Sequence, residues 1–171
     1  MTPVGRRFFL LVELESSEPL RSCISMSTGT ELHMSFVLHE RLARGSFDLG
    51  VHGICRVLLK DQAHFPWILL VPEVDAAVTE LHHLSPEQYD AVSRSMRVFS
   101  RGMADWPGVQ KINIAAIGNQ VPQLHIHIVG RHPGDIAWPG VVWSCPEKQA
   151  YAADDVEAHH ERIRGWMKSN N

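Results

Sequence analysis

Gln123-Leu124-His125-Ile126-His127-Ile128-Val129 alternates polar and apolar residues without a break. Successive side chains on a β-strand point to opposite faces. The period predicts a strand with Leu124, Ile126 and Ile128 on a core face and Gln123, His125 and His127 in a row on the other. Neighbours in such a row stand about 7 Å apart. Neutral imidazole is a nucleophile, a proton carrier and a metal ligand near pH 7, so two in one row mark a place for chemistry. The expected setting is a solvent-reachable cleft beside the Gly118–Gln120 amides.

Outward from this strand the chain reads as α+β. Lys111-Ile112-Asn113-Ile114-Ala115-Ala116-Ile117 predicts a strand, joined to the histidine strand by the tight loop Gly118-Asn119-Gln120-Val121-Pro122. Ser85-Pro86-Glu87-Gln88 carries an N-cap, a first-turn proline and a capping-box glutamine, and so predicts a helix start. Tyr89, Val92, Met96, Phe99 and Met103 continue it as one apolar face, and Trp106-Pro107-Gly108 ends it. Gly53–Leu59 and Trp67–Val71 read as strands; the short connection through Pro66 makes them an antiparallel hairpin. A short helix is expected from Ser35 to about Ala43, stopped by Gly45. The stretch after Gly134 is loop-like, rich in Trp, Pro and Gly. Asp154-Asp155 and the later Arg162, Arg164 and Lys168 suit the two ends of a last helix.

Residues 1–33 show no sustained period, and Met34 opens the patterned region. We read 1–33 as a disordered N-terminal extension, with Met34 as the functional start, the alternative being a weakly ordered genuine N-terminal segment. Residues 34–143 are expected to form one domain, with 144–171 a loop and helix packed on it. The length, 171 residues, fits one domain, and 44% hydrophobic content allows a packed core. A net charge of −3 argues against nucleic-acid or anionic-membrane partners. Cys23, Cys55 and Cys145 form no CxxC pair, which disfavours a zinc knuckle and suits a reducing compartment. No apolar run reaches the roughly 20 residues of a membrane span. After Arg6-Arg7 the apolar run is only about five residues, short for an export signal. A cytoplasmic location is expected.

With Asn113 five residues before Gly-Asn-Gln, the run Gln-Val-Pro-Gln-Leu-His-Ile-His-Ile-Val and its Arg131 resemble the signature of the histidine triad (HIT) superfamily. The hairpin with Pro66, the Ser85 helix and Trp138-Pro139-Gly140 are similar to features of that family, and the resemblance spans roughly residues 35–143. It implies an antiparallel sheet of about five strands with a central and a C-terminal helix. It also implies homodimeric nucleotide phosphohydrolases and transferases acting at an α-phosphorus. Gln123 stands where the first triad histidine is usual.

His125 matches the nucleophile that carries the nucleotidyl group, and a backbone carbonyl on its far ring nitrogen would fix the needed tautomer. The plain alternative is a half-buried strand histidine without a role. His127 matches the residue that steadies phosphoryl charge, or else is structural. Gln123, the third member of the catalytic set, would bond the phosphate or leaving group, or simply face solvent. Asn113 matches a phosphate-region side chain, or an edge residue. Gly118, Asn119 and Gln120 could form an anion-binding nest of amides, or a plain turn. Asp61 matches a ribose-binding carboxylate, or a turn aspartate. Arg131 supplies positive charge or ends the strand in solvent. His82-His83 and His159-His160 are assigned no function. No cofactor is required by this chemistry, although a divalent cation can accompany a polyphosphate substrate. A nucleotide is the implied small-molecule partner. Two other classes stay open: a nucleotide-binding protein without turnover, and a metal module using His125, His127 and His132 or a distant ligand.

Overall fold

The computed structural model describes residues 36–168, so the extension expected over 1–33 lies outside the described residues. The sheet has five antiparallel strands: β1 (Ser46–His52), β2 (Cys55–Lys60), β3 (Trp67–Pro72), β4 (Lys111–Ala116) and β5 (Ile126–Arg131), in the order β1-β2-β3-β5-β4. Helix α1 is one turn (Glu40–Ala43), α2 spans Pro86–Ala104 and α3 spans Ala153–Lys168. The α+β sheet read from the sequence is therefore the observed one.

The alternation in β5 splits the molecule into two layers. Ile126 and Ile128, with Leu124 ahead of them, join Val57, Leu59, Ile68 and Leu70 under α2 and α3. Helix α2 starts as its sequence dictates: the Ser85 hydroxyl accepts from the Gln88 N–H, and the Gln88 side chain accepts from the Ser85 N–H. Val92, Phe99 and Met103 are buried on the sheet side, whereas Tyr89 lies exposed in the first turn. A Cβ at Gly102 would overlap the Trp166 ring, so this glycine lets α3 approach α2 closely. The opposite layer contains Leu58, Phe65, Trp67, Leu69, Val71, Val121, Val129 and Val142, with Phe36, Leu38 and Trp143 packed on them. No helix among the described residues is long and apolar enough to cross a membrane.

Three elements differ from the sequence reading. The strand expected from Gln123 starts at Ile126, because the Gln123 side chain and carbonyl are bonded to residues 37–39 and to the His125 ring, and Gln123, Leu124 and His125 precede the ladder. The helix expected over 35–43 is only the turn Glu40–Ala43; residues 36–39 are not helical. His39 is the reason for the late start, since its Nδ1 accepts from the Arg41 N–H as an N-cap. Strand β1 escapes the period because a bulge between Asp48 and Val51, with Gly50 at φ 98°, breaks its alternation.

Candidate active site

The site lies on the sheet face away from α2. The pairing register carries Leu58 of β2, Leu69 of β3, His127 of β5 and Ala115 of β4 across the sheet in one row. His125 stands just before β5, and its ring centroid is 4.8 Å from that of His127. The two imidazoles are only 5% and 7% exposed, so the row is more enclosed than the open cleft expected from sequence. Trp143 covers part of it, edge-on to His127 and Trp67 at 5.3 and 5.8 Å. Cavities of about 280 Å³ beside Lys111 and about 240 Å³ beside His52 lie elsewhere; neither is lined by the two histidines.

The hydrogen bonds fix opposite tautomers. His125 Nδ1 lies 2.7 Å from the Gln123 carbonyl, which can only accept, so Nδ1 carries the proton and Nε2 is left with a lone pair. Trp67 Nε1–H, which can only donate, lies 3.0 Å from His127 Nδ1. His127 therefore accepts there, and its proton is on Nε2. A second proton on His127 Nδ1 would meet the indole N–H head-on. Burial drives the His127 pKa down to about 3, helped by the neighbouring His125 and Lys60 charges. Burial also lowers that of His125, assisted by His39 and Lys60 and opposed by the Gln123 carbonyl. Both rings are thus neutral at pH 7, one offering an electron pair and the other a hydrogen.

The remaining expected residues divide sharply. The Gln123 amide does not hang free for a phosphate. Its Oε1 accepts from the His39 N–H and its Nε2 donates to the Val37 carbonyl, both at 2.9 Å. Asn113 does share the site face, opposite Val129, but its Oδ1 accepts from Arg131 Nη1 at 2.9 Å. Arg131 is no solvated strand end. It is 2% exposed, forms a two-bond pair with Asp135 at 2.6 and 2.9 Å, and lies against the Phe65 and Trp138 rings. Burial alone would raise the Asp135 pKa; the Arg131 and backbone bonds outweigh it and hold the carboxylate below its usual range. The Arg131 charge is thus already neutralised. Asp61 follows β2, and its Oδ1 accepts from the Tyr151 N–H at 2.9 Å. Gly118, Asn119 and Gln120 are exposed, and their backbone N–H groups have no partner among the described residues.

Three further side chains escaped the sequence reading. Trp67 holds the His127 tautomer, although its only sequence signal is a tryptophan in a strand. Lys60 ends the apolar strand β2 in phase with Leu58, and its charge reaches both histidines; one cation closing an apolar run was the available hint. Trp143 comes from the Trp-Pro-rich stretch, and its Nε1–H is buried without a partner among the described residues. No group of three His, Cys, Asp or Glu side chains among the described residues is arranged to hold a metal ion.

Known proteins share this fold. The HIT domain family matches residues 49–134. A histidine triad protein from Marinobacter aquaeolei VT8 is 36% identical, with a TM-score of 0.76 over 80% of this chain and 99% of that one. A histidine triad protein from Bradyrhizobium japonicum is 34% identical, with a TM-score of 0.75 over 78% of this chain and 98% of its own. One from Sinorhizobium meliloti 1021 is 33% identical, with a TM-score of 0.73 over 76% and 96%. No curated protein matches the chain significantly. The family match over residues 49–134, together with three histidine triad proteins matched over nearly their whole length, means that the chain belongs to the HIT domain family.

Proposed function

We propose that the protein is a nucleotide phosphohydrolase or nucleotidyl transferase that works through a covalent nucleotidyl-His125. The observation that carries this reading is the opposed pair of tautomers. A nucleophile needs a lone pair, and the Gln123 carbonyl leaves one on His125 Nε2. A phosphoryl oxygen gathering charge needs a fixed donor, and Trp67 leaves one on His127 Nε2. In the first step the His125 lone pair forms a bond to the α-phosphorus, and the bond from phosphorus to the leaving group breaks, its electron pair going with that group. Positive charge that develops on the ring is shared through Nδ1–H with the Gln123 carbonyl. In the second step water or another acceptor attacks phosphorus. The P–N bond returns its electrons to the ring, and the acceptor's proton passes to solvent.

Lys60 supplies positive charge near the transferring group. Asp61 Oδ2, the oxygen not held by Tyr151, suits a ribose hydroxyl, and the exposed Gly118–Gln120 amides suit a phosphate further along the substrate. Gln123 acts through its carbonyl and by fixing residues 37–39. Dinucleoside polyphosphates and nucleoside phosphoramidates are the substrate classes that fit, and the covalent step asks for no metal. A homodimer is part of the same reading: β4 is an edge strand, and a second copy could pair along it. The test is to incubate the protein with a nucleotide donor labelled at the α-phosphorus and recover protein-bound label. Acid-labile label on wild type and none on His125→Ala is the expected result. Equal labelling of both removes the assignment.

A further inference from the structure

Gln123 leaves the usual triad one imidazole short, yet its side chain draws another histidine to the site. Both ends of its amide are bonded to the backbone of residues 37–39, and its carbonyl is bonded to His125. His39 and His125 therefore hang from the same residue. His39 Nδ1 accepts from the Arg41 N–H at 3.1 Å, which leaves the proton on Nε2. His39 is partly exposed where His125 and His127 are nearly buried, so a ligand can reach it. It is near enough to His125 to act on that ring's protonation.

We propose that His39 is the third histidine of this site: its Nε2–H donates to a phosphoryl oxygen of the bound nucleotide, on the flank of His125 opposite His127. The flank follows from the hydrogen bonds: His39 is tied to Gln123, the residue that bonds His125, whereas His127 is held separately by Trp67. The replacement of histidine by glutamine is then a relocation. Position 123 gives up substrate contact and becomes the clamp that presents a histidine from residues 37–39. The inference rests on the nucleotide reading above. It differs from a metal site, because the three rings do not converge on a point an ion could occupy.

The deciding variant is His39→Asn in the full chain. Asparagine is a preferred N-cap, so it can keep the bond to the Arg41 N–H while removing the Nε2 donor. His39→Gln returns an amide N–H near the Nε2 position. If His39 only caps α1, His39→Asn is silent in every assay. With the proposed contact, His39→Asn melts at the wild-type temperature and loses about 100-fold in kcat/KM for nucleotidyl transfer, the scale of one lost oxyanion donor. His39→Gln recovers part of that loss. Wild-type kcat/KM in His39→Asn overturns the proposal. A binding measurement keeps the two readings apart. AMP affinity is expected to fall about 10-fold in His39→Asn, the scale of one charge-assisted hydrogen bond, and adenosine affinity is expected to stay unchanged. Should wild type form no covalent nucleotide, the catalytic reading falls, and AMP binding alone decides the role of His39. AMP that binds both proteins equally, or neither, overturns it.

Discussion

The two faces of the sheet are built by different physics. Under α2 and α3 the packing is apolar and repetitive: Val57, Leu59, Ile68, Leu70, Ile126 and Ile128 meet Val92, Phe99 and Met103. Any residue of similar volume and hydrophobicity would serve at many of these places. The other face also has an apolar layer, but single side-chain bonds are set into it. Gln123 holds residues 37–39, Trp67 holds His127, and Arg131 is held by Asp135 and Asn113. The first face sets stability through area. The second adds protonation and direction through geometry, and burial of His125, His127 and Arg131 strengthens each charge and dipole there.

Substitutions can be chosen to break this contrast. The largest effect is expected for His125→Ala, which removes the covalent route and lowers turnover at least ~1,000-fold (about 4 kcal/mol) while the melting temperature changes little. Turnover assays with parallel calorimetry check it; a near-normal rate would remove the nucleophile from position 125. Next comes Asp135→Ala, which leaves the Arg131 guanidinium buried without its partner. Breaking such a pair costs about 3–5 kcal/mol, readable in urea unfolding. A loss under 1 kcal/mol would mean that Arg131 finds water. On the helical face, Gly102→Ala forces the Trp166 ring aside and should cost about 1–3 kcal/mol with the specific activity of the folded protein intact.

Smaller and more diagnostic is Trp67→Phe. It deletes the N–H that pins His127 Nδ1, so His127 can turn or take a second proton. Turnover should fall about 10-fold, and the His127 pKa should rise from its lowered value, as followed by NMR. An unchanged imidazole titration would show that burial alone holds the neutral form. The last prediction concerns acid. A histidine whose folded pKa lies below the ordinary 6.5 is neutral in the fold and gains its proton on unfolding. The unfolded chain then binds more protons, so stability falls as pH drops below about 6.5. His127 alone withdraws up to about 1.4 kcal/mol per pH unit from there down towards its folded value of about 3. His125, shifted the same way, adds to the slope. Unfolding curves between pH 7 and 5 measure it; a flat stability would contradict neutral buried imidazoles.

What the sequence made legible was local. Strand period separated Ile126 and Ile128 from His127, and Ser85 through Gln88 announced the start of α2, because each signal lies within a few residues. The need of His125 for a backbone carbonyl was also foreseeable from its chemistry, and the carbonyl of Gln123 meets it two residues away. The partners of polar side chains were not legible. Gln123 bonds backbone more than 80 positions distant, and Trp67 reaches His127 across 60. No period records such pairings. Arg131 illustrates the same limit: a strand-end arginine looks solvated until Asp135 folds back and Phe65 and Trp138 close over it. The helix expected over 35–43 has a related explanation: Leu38 and Leu42 stand at helical spacing, but Phe36 and Leu38 are packed on the site-face layer, and His39 caps the turn that follows.

The clamp formed by Gln123 also governs when this centre can exist. It joins positions 37 and 39 to position 123, while the covering indole arrives from position 143. A ribosome-bound chain must therefore be synthesised past Trp143 before the imidazoles are enclosed. Such distant contacts form late, after local helix and hairpin formation. During refolding from denaturant, helical circular dichroism should return ahead of turnover, and the lag between them is the time taken to bring residues 37–39 and Trp143 onto one face.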